Sequence, residues 1–296
     1  MTRKLDFIVY GMPRGGTTAV TRYLCAMKGV HCGNELFPMM LDHAALDVPE
    51  AFVTPREGTR LTAAGIAALR PDLDRIGLFG NKTPTYFYRL PGLLAELDHC
   101  PSVACIRSLR SVAASYSMRA AMTADHTWPP GRVGLIAMGD ALLLLRALAS
   151  LPAAADVLIV PQAATLADWQ AVMARVLAHI SPGSEPEYDP DRLREIHKIR
   201  RRDARRAKPE LADVEKRALA RLRKDGVADF MARDQVLRLA EIRDEIAAIL
   251  ARTPPDPAGF VMRLAERHPD PAVAEYAAAW ARRARRALQH FRAAAG

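Results

Sequence analysis

The sequence has no apolar run approaching the roughly 18 residues of a membrane span, which excludes a helical span as its organising feature. Cysteine is scarce: Cys25, Cys32, Cys100 and Cys105 form no C-x-x-C pair and no zinc spacing. A disulfide framework and a structural zinc site are thereby excluded, and reduced thiols are expected. Aromatic residues make up only 6% of the chain, with no stacking signature of an RNA-recognition sheet. No internal repeat or sustained heptad register stands out. Residues Met1 to Asp6 run directly into a β-favouring segment, with no apolar leader ahead of it. A cytoplasmic location is the expectation.

What is present fits a folded chain. Half of the 296 residues are hydrophobic, enough for a sizeable core and too many for disorder. The formal charge of +9 is unevenly spread. Asp191 to Asp225 carries fourteen Lys or Arg against seven Asp or Glu, while the rest is nearly balanced. The composition divides the chain into an α/β core over 1–185 and a basic helical C-terminal region over 186–296, expected to pack on the core. One reading of the basic helices is a nucleic-acid-binding protein, whose affinity falls steeply with salt.

The chain is organised around Phe7-Ile8-Val9-Tyr10-Gly11-Met12-Pro13-Arg14-Gly15-Gly16-Thr17-Thr18. A β-favouring run ends in a Gly/Pro turn, and helical spacing follows from Ala19 to Leu24, giving strand, loop, helix. Gly15 and Gly16 allow close approach of the backbone to an anion. Their amides, those of Thr17 and Thr18, and the positive helix end are expected to point at it. Arg14 adds a cation suited to phosphate or sulfate oxygens. Gly11 and Gly16 have the spacing of a nucleotide-hydrolysing P-loop, but Thr17 stands where its Lys belongs. A small-molecule kinase using ATP and Mg²⁺ is therefore an alternative with a missing part. No dinucleotide fingerprint is present.

Three later segments carry chemistry. Glu35 follows the loop helix in Asn34-Glu35-Leu36-Phe37, and a strand–helix–strand unit returns it toward the ligand edge of the sheet. There a carboxylate suits a general base, although residue type alone favours a solvated loop carboxylate. Lys82 lies in Asn81-Lys82-Thr83-Pro84-Thr85-Tyr86-Phe87, after a buried-strand pattern. It is either a charge-neutralising group or an exposed lysine at a strand end. Arg107 ends the strand pattern Ser102 to Ile106, and Ser115 lies eight residues on in a helix, a pairing able to grip a phosphate.

Pro13-Arg14-Gly15-Gly16-Thr17-Thr18 resembles the phosphosulfate loop of the sulfotransferase family, which uses 3′-phosphoadenosine-5′-phosphosulfate (PAPS). The Arg107–Ser115 spacing resembles that family's 3′-phosphate grip, with Ser108-Leu109 in place of its usual Asn-Pro or Asp-Pro. Asn34 to Phe37 and Asn81 to Phe87 look like the glycosaminoglycan branch. The resemblance covers residues 5 to about 180 and implies an α/β fold: a central, mostly parallel sheet with flanking helices and a P-loop-like core. It implies Glu35, Lys82 and Arg14 as catalytic residues. Arg14, Gly15, Gly16, Thr17, Thr18, Arg107 and Ser115 would bind the donor, with PAP the product and no metal needed. The acceptor is left open between a glycan, a lipid and a small alcohol or amine, with no nucleic acid expected. Residues 40–75, with one helix near Leu61 to Leu69, are the insertion expected to carry acceptor specificity. Lys198 to Arg206 is a candidate cover for the adenine, or else a solvated helix face. Gln162-Ala163 replaces the family's Tyr-Glu pair after Val157 to Pro161.

Overall fold

The computed structural model describes residues 3–122, 126–203 and 210–295, with 199–203 and 295 as backbone alone. The candidate adenine cover at Lys198 to Arg206 thus falls largely outside the described side chains. Six strands form one sheet: β1 (Phe7–Gly11), β2 (Val30–Asn34), β3 (Leu78–Lys82), β4 (Ser102–Ile106), β5 (Val157–Pro161) and β6 (Leu237–Arg238). Their order is β2-β3-β1-β4-β5-β6. Neighbours among the first five run parallel, and β6 pairs antiparallel with β5. Helix α1 (Thr17–Cys25) joins β1 to β2, α2 (Ala63–Leu69) precedes β3, and α3 (Leu90–Glu96) precedes β4. Between β4 and β5 lie α4 (Leu109–Ala120) and α5 (Gly134–Ala149). Then come α6 (Gln162–Ala167), α7 (Trp169–Ile180), α8 (Pro190–Asp203), α9 (Asp213–Lys224) and α10 (Val227–Ala232). After β6 the chain ends in α11 (Leu239–Arg252), α12 (Pro257–Ala265) and α13 (Pro271–Ala295).

The central strands are buried along their whole length because helices cover both faces, as parallel sheets require. Alternate side chains feed two cores. Phe7, Val9, Val103, Cys105, Leu158 and Val160 pack with α1 and α7. Ile8, Tyr10, Ala104, Ile106, Val157 and Ile159 join a larger core that runs through α5 into α11, α12 and α13. α5 explains that continuity: apart from Asp140 and Arg146 its sequence GLIAMGDALLLLRALA holds no charged or polar side chain, and only Arg146 and Ala149 of its residues are not buried. Gly11 shows how tightly β1 meets β4. A Cβ there would stand 2.2 Å from the Cys105 carbonyl oxygen.

One buried charge joins the core to the last helix. Asp140 of α5, with no exposed surface, accepts hydrogen bonds from Tyr88 Oη (2.7 Å), Tyr116 Oη (2.8 Å) and Trp280 Nε1 (2.8 Å). Burial, reinforced by the Asp140 charge, pushes both phenols far above their ordinary pKa, so they remain donors. Asp140→Ala strands all three donors and is expected to cost about 3 kcal/mol or more. The check is the urea midpoint, which should fall well below that of the native chain while Asp140→Asn, which keeps an acceptor, falls less. An unchanged midpoint in Asp140→Ala contradicts the assignment.

Candidate active site

The sheet register assembles the site. Gly11 pairs with Cys105, Val9 with Lys82, and Lys82 with Asn34, so the carboxyl ends of β1, β2, β3 and β4 lie side by side. The chain leaves β1 for one side of the sheet and later returns to the other at β4, and such a divergence opens a crevice for ligands.

The loop after β1 is shaped by two left-handed residues, Arg14 (φ 65°) and Gly16 (φ 103°). Gly16 caps α1 without any side-chain hydrogen bond, and the first turn of the helix holds no acidic residue. The leading amides of a helix have no intrahelical partner, so this end presents donors and a partial positive charge. Gly15 departs from the sequence expectation. Its amide is spent on the Met12 carbonyl (2.8 Å) and closes the turn, so it is not among the donors of the helix start, whose leading amides are those of Gly16, Thr17 and Thr18. Gln162, at the start of α6, lies against the loop, 3.4 Å from where a Cβ on Gly16 would sit.

The two predicted grips are one cluster. Arg14 Nε donates to Ser115 Oγ at 2.9 Å, and an Arg107 terminal N–H donates to the Arg14 carbonyl at 3.1 Å. Among the described residues the buried Arg107 Nε has no hydrogen-bond partner. Burial, helped by the Arg14 charge, lowers the Arg107 pKa from its ordinary value.

Beside that cluster, Lys82 Nζ lies 2.8 Å from Glu35 Oε1. Lys82 is only 1% exposed, so it is not the exposed strand-end lysine its residue type also allowed. Glu35 sits just past β2 with φ 62°, and its amide donates to the Lys82 carbonyl at 2.6 Å. A left-handed, non-glycine residue is strained, and the strain is borne where the surroundings over-determine it. Those surroundings are polar and buried. Asn81 Oδ1 accepts from the amides of Leu36 (3.2 Å) and Phe37 (3.4 Å), and its Nδ2 donates to the Phe37 carbonyl (3.2 Å). Tyr86 Oη stands 2.7 Å from that carbonyl and 3.0 Å from His43 Nε2. Glu35 is about one-third exposed, and its second oxygen, Oε2, lies 3.3 Å from Arg60.

Burial lowers His43 to about 4, and burial lowers His31 to about 4 beside the Phe52 ring. Between these values and the unperturbed histidine value the unfolded chain binds more protons than the folded one. Stability is therefore expected to rise with pH through that window and to be lost on acidification through it, by a few kcal/mol from the two residues together. Urea titrations at about pH 7 and about pH 5 measure this. Equal midpoints contradict it.

A family model described as "Sulfotransferase family" matches residues 6–183, which contain every element of this cluster. The chain belongs to the sulfotransferase family. Three solved structures are similar to parts of this chain. A sulfotransferase from Mycobacterium tuberculosis is 16% identical with a TM-score of 0.41, over 67% of this chain and 72% of that one. One from Alicyclobacillus acidocaldarius is 17% identical with a TM-score of 0.37, over 68% and 93%. The sulfotransferase domain of the Synechococcus olefin synthase is 15% identical with a TM-score of 0.43, over 79% and 97%. No curated protein matches the chain. Among the described residues of this sulfotransferase no helix is long and apolar enough to cross a membrane, and no group of three or more His, Cys, Asp or Glu is placed to hold a metal ion.

Sequence reasoning brought Arg14, Glu35, Lys82, Arg107 and Ser115 to one sheet edge, and they are there. It missed Arg60, which reaches Glu35 from 25 residues away across the insertion. It also gave Asn81 no task. The one available signal was an amide side chain next to Lys82 at the end of a buried-strand pattern, since a buried polar group needs partners.

Proposed function

We propose that this sulfotransferase takes its sulfuryl group from PAPS and passes it to a hydroxyl or amine, with Glu35 as general base. The observation that carries the reading is the joining of Arg14, Arg107 and Ser115 beside a helix start with no side-chain cap, with the Lys82–Glu35 pair on the adjoining strands. The residues fit a nucleotide with phosphates at two ends. Gly16, Thr17 and Thr18 amides with Arg14 would hold the 5′ side, and Arg107 with Ser115 the 3′-phosphate. When bound, the donor supplies the sulfuryl group and a phosphate leaving group.

The chain's own residues then have distinct tasks. Glu35 takes the proton of the attacking hydroxyl or amine, and its fixed, left-handed backbone holds the carboxylate ready. Lys82 is a compact, buried charge, suited to offset the negative charge that develops as the leaving phosphate departs. Arg14 shares that load from the loop. The acceptor lies on the open side of Glu35, under the insertion that follows β2. The motifs around Glu35 and Lys82 that resemble the glycosaminoglycan branch put a glycan among the acceptor candidates.

The test is transfer of labelled sulfur from PAPS into a panel of hydroxyl and amine acceptors without added metal. Label should appear in an acceptor, with release of one PAP for each transfer. PAPS left unbound and unconsumed across the panel would contradict the reading.

A further inference from the structure

We propose that Arg60 is the acceptor-reading residue of this site and that the acceptor carries an anionic group, a carboxylate, sulfate or phosphate, a few bonds from its nucleophilic hydroxyl or amine. This rests on the sulfotransferase reading and adds the chemical class of the substrate.

The two oxygens of Glu35 are held differently. Oε1 faces the buried Lys82 at 2.8 Å, whereas Oε2 faces Arg60 at 3.3 Å on the solvent side. Arg60 belongs to the insertion after β2, outside every motif that aligns with the phosphate grips. Its backbone is nevertheless fixed. Its amide donates to the Leu36 carbonyl at 2.9 Å, the preceding Arg56–Thr59 turn is closed at 3.1 Å, and Thr62 caps α2 by accepting from the Gly65 amide. The side chain carried on this fixed backbone is 63% exposed.

Its neighbours show what an arginine used for structure looks like here. Arg56 donates to the Ala45 carbonyl, Arg70 to the Val53 carbonyl, and Arg89 to the Met39 and Leu41 carbonyls and the Glu96 carboxylate. These tie down loops. Arg60 touches no carbonyl with its side chain; among the described residues its guanidinium meets Glu35 alone, through one of five N–H groups. An ion pair this exposed contributes about 0–1 kcal/mol, too little to account for the placement through stability. The donor side is already supplied with cations in Arg14, Lys82 and Arg107, so Arg60 is a surplus positive charge on the acceptor side.

The geometry defines what it reads. A nucleophile bound to Glu35 Oε2 at a hydrogen-bond length of about 2.8 Å is a next neighbour of the Arg60 guanidinium. An anionic group a few bonds further along the same molecule meets the unused N–H groups in the forked geometry that Arg offers carboxylates and phosphates. That contact draws Arg60 from Oε2 and frees this oxygen to accept the nucleophile's proton. Neutral alcohols would have to leave the Arg60–Glu35 pair in place or break it without compensation.

The experiment offers matched acceptors with labelled PAPS: 3-hydroxybutyrate beside butane-1,3-diol, glucuronate beside glucose, and glycerol 3-phosphate beside glycerol. Each pair is given to the native chain and to Arg60→Ala, with PAP binding measured in both. The native chain should favour an anionic member by about tenfold to a hundredfold in kcat/KM. In Arg60→Ala that preference should collapse through a raised KM at near-constant kcat, with PAP affinity unchanged. A preference for the neutral members, an anionic preference that survives Arg60→Ala, or no transfer to any anionic member by a chain that binds PAP would overturn the inference and leave the donor reading intact. A chain that does not bind PAP removes the reading beneath it.

Discussion

Glu35→Gln is expected to lower turnover by about a hundredfold to ten-thousandfold while PAP still binds, because proton removal by a positioned base contributes on that scale. The substitution is nearly isosteric. An amide oxygen can still accept from Lys82, and the backbone bond to the Lys82 carbonyl is untouched. What disappears is the ability to take a proton from the acceptor. The residue stands at φ 62° on a turn braced by Asn81, Tyr86 and His43, so the variant should retain the fold, and an unchanged thermal midpoint confirms that it does. Loss of turnover with normal PAP affinity separates the proton from the donor site. Turnover within tenfold of the native chain would remove Glu35 from the role of base.

The second large effect is expected at the joined grips. Arg107→Ala removes a half-buried cation and also the bond to the Arg14 carbonyl that steadies the loop. Arg14→Ala removes a cation and the bond to Ser115. Charge-assisted hydrogen bonds contribute about 1.5–3 kcal/mol each, so either change should weaken PAP binding by about tenfold to a hundredfold. Since Arg107 holds the carbonyl of the turn that carries Arg14, the double variant should lose less than the two single losses combined. Titration of PAP into the three variants reads both points. Native affinity in Arg107→Ala would mean that the 3′-phosphate lies elsewhere, and full additivity would mean that the contact between the two arginine-bearing turns is incidental.

The parts of this architecture that were legible are those in which local sequence and local physics agree. Phe7 to Tyr10 is β-branched and aromatic, the Gly/Pro turn stops it, and Ala19 to Leu24 has helical spacing, so strand, loop and helix follow without long-range information, with the helix itself beginning at Thr17. Arg107 and Ser115 are eight residues apart on a strand end and a helix, which a short segment also determines. Burial of Lys82 was only half legible, since it depends on β3 lying between β2 and β1. The rest required tertiary contacts. β6 is two residues long, with no alternation to read, and exists because β5 offers it an edge. Arg60 meets Glu35 only once the insertion folds back on β2. Asp140 gave no signal of its three partners, which come from three separate elements. The Gly15 amide shows the limit within the loop itself: composition says that glycine can approach an anion, but only the turn geometry says which amides remain available.

The most direct test of the account is calorimetric titration of the native chain with PAP in the absence of metal, beside ATP with Mg²⁺. The bisphosphate has a 3′-phosphate for Arg107 and Ser115 and a 5′-phosphate for the loop after β1, whereas ATP lacks the first and the loop lacks the Lys that would hold its terminal phosphates. The account predicts PAP binding without metal that is far tighter than ATP binding with it. Binding of ATP with Mg²⁺ while PAP is ignored would contradict the account and make the site that of a phosphoryl-transferring enzyme.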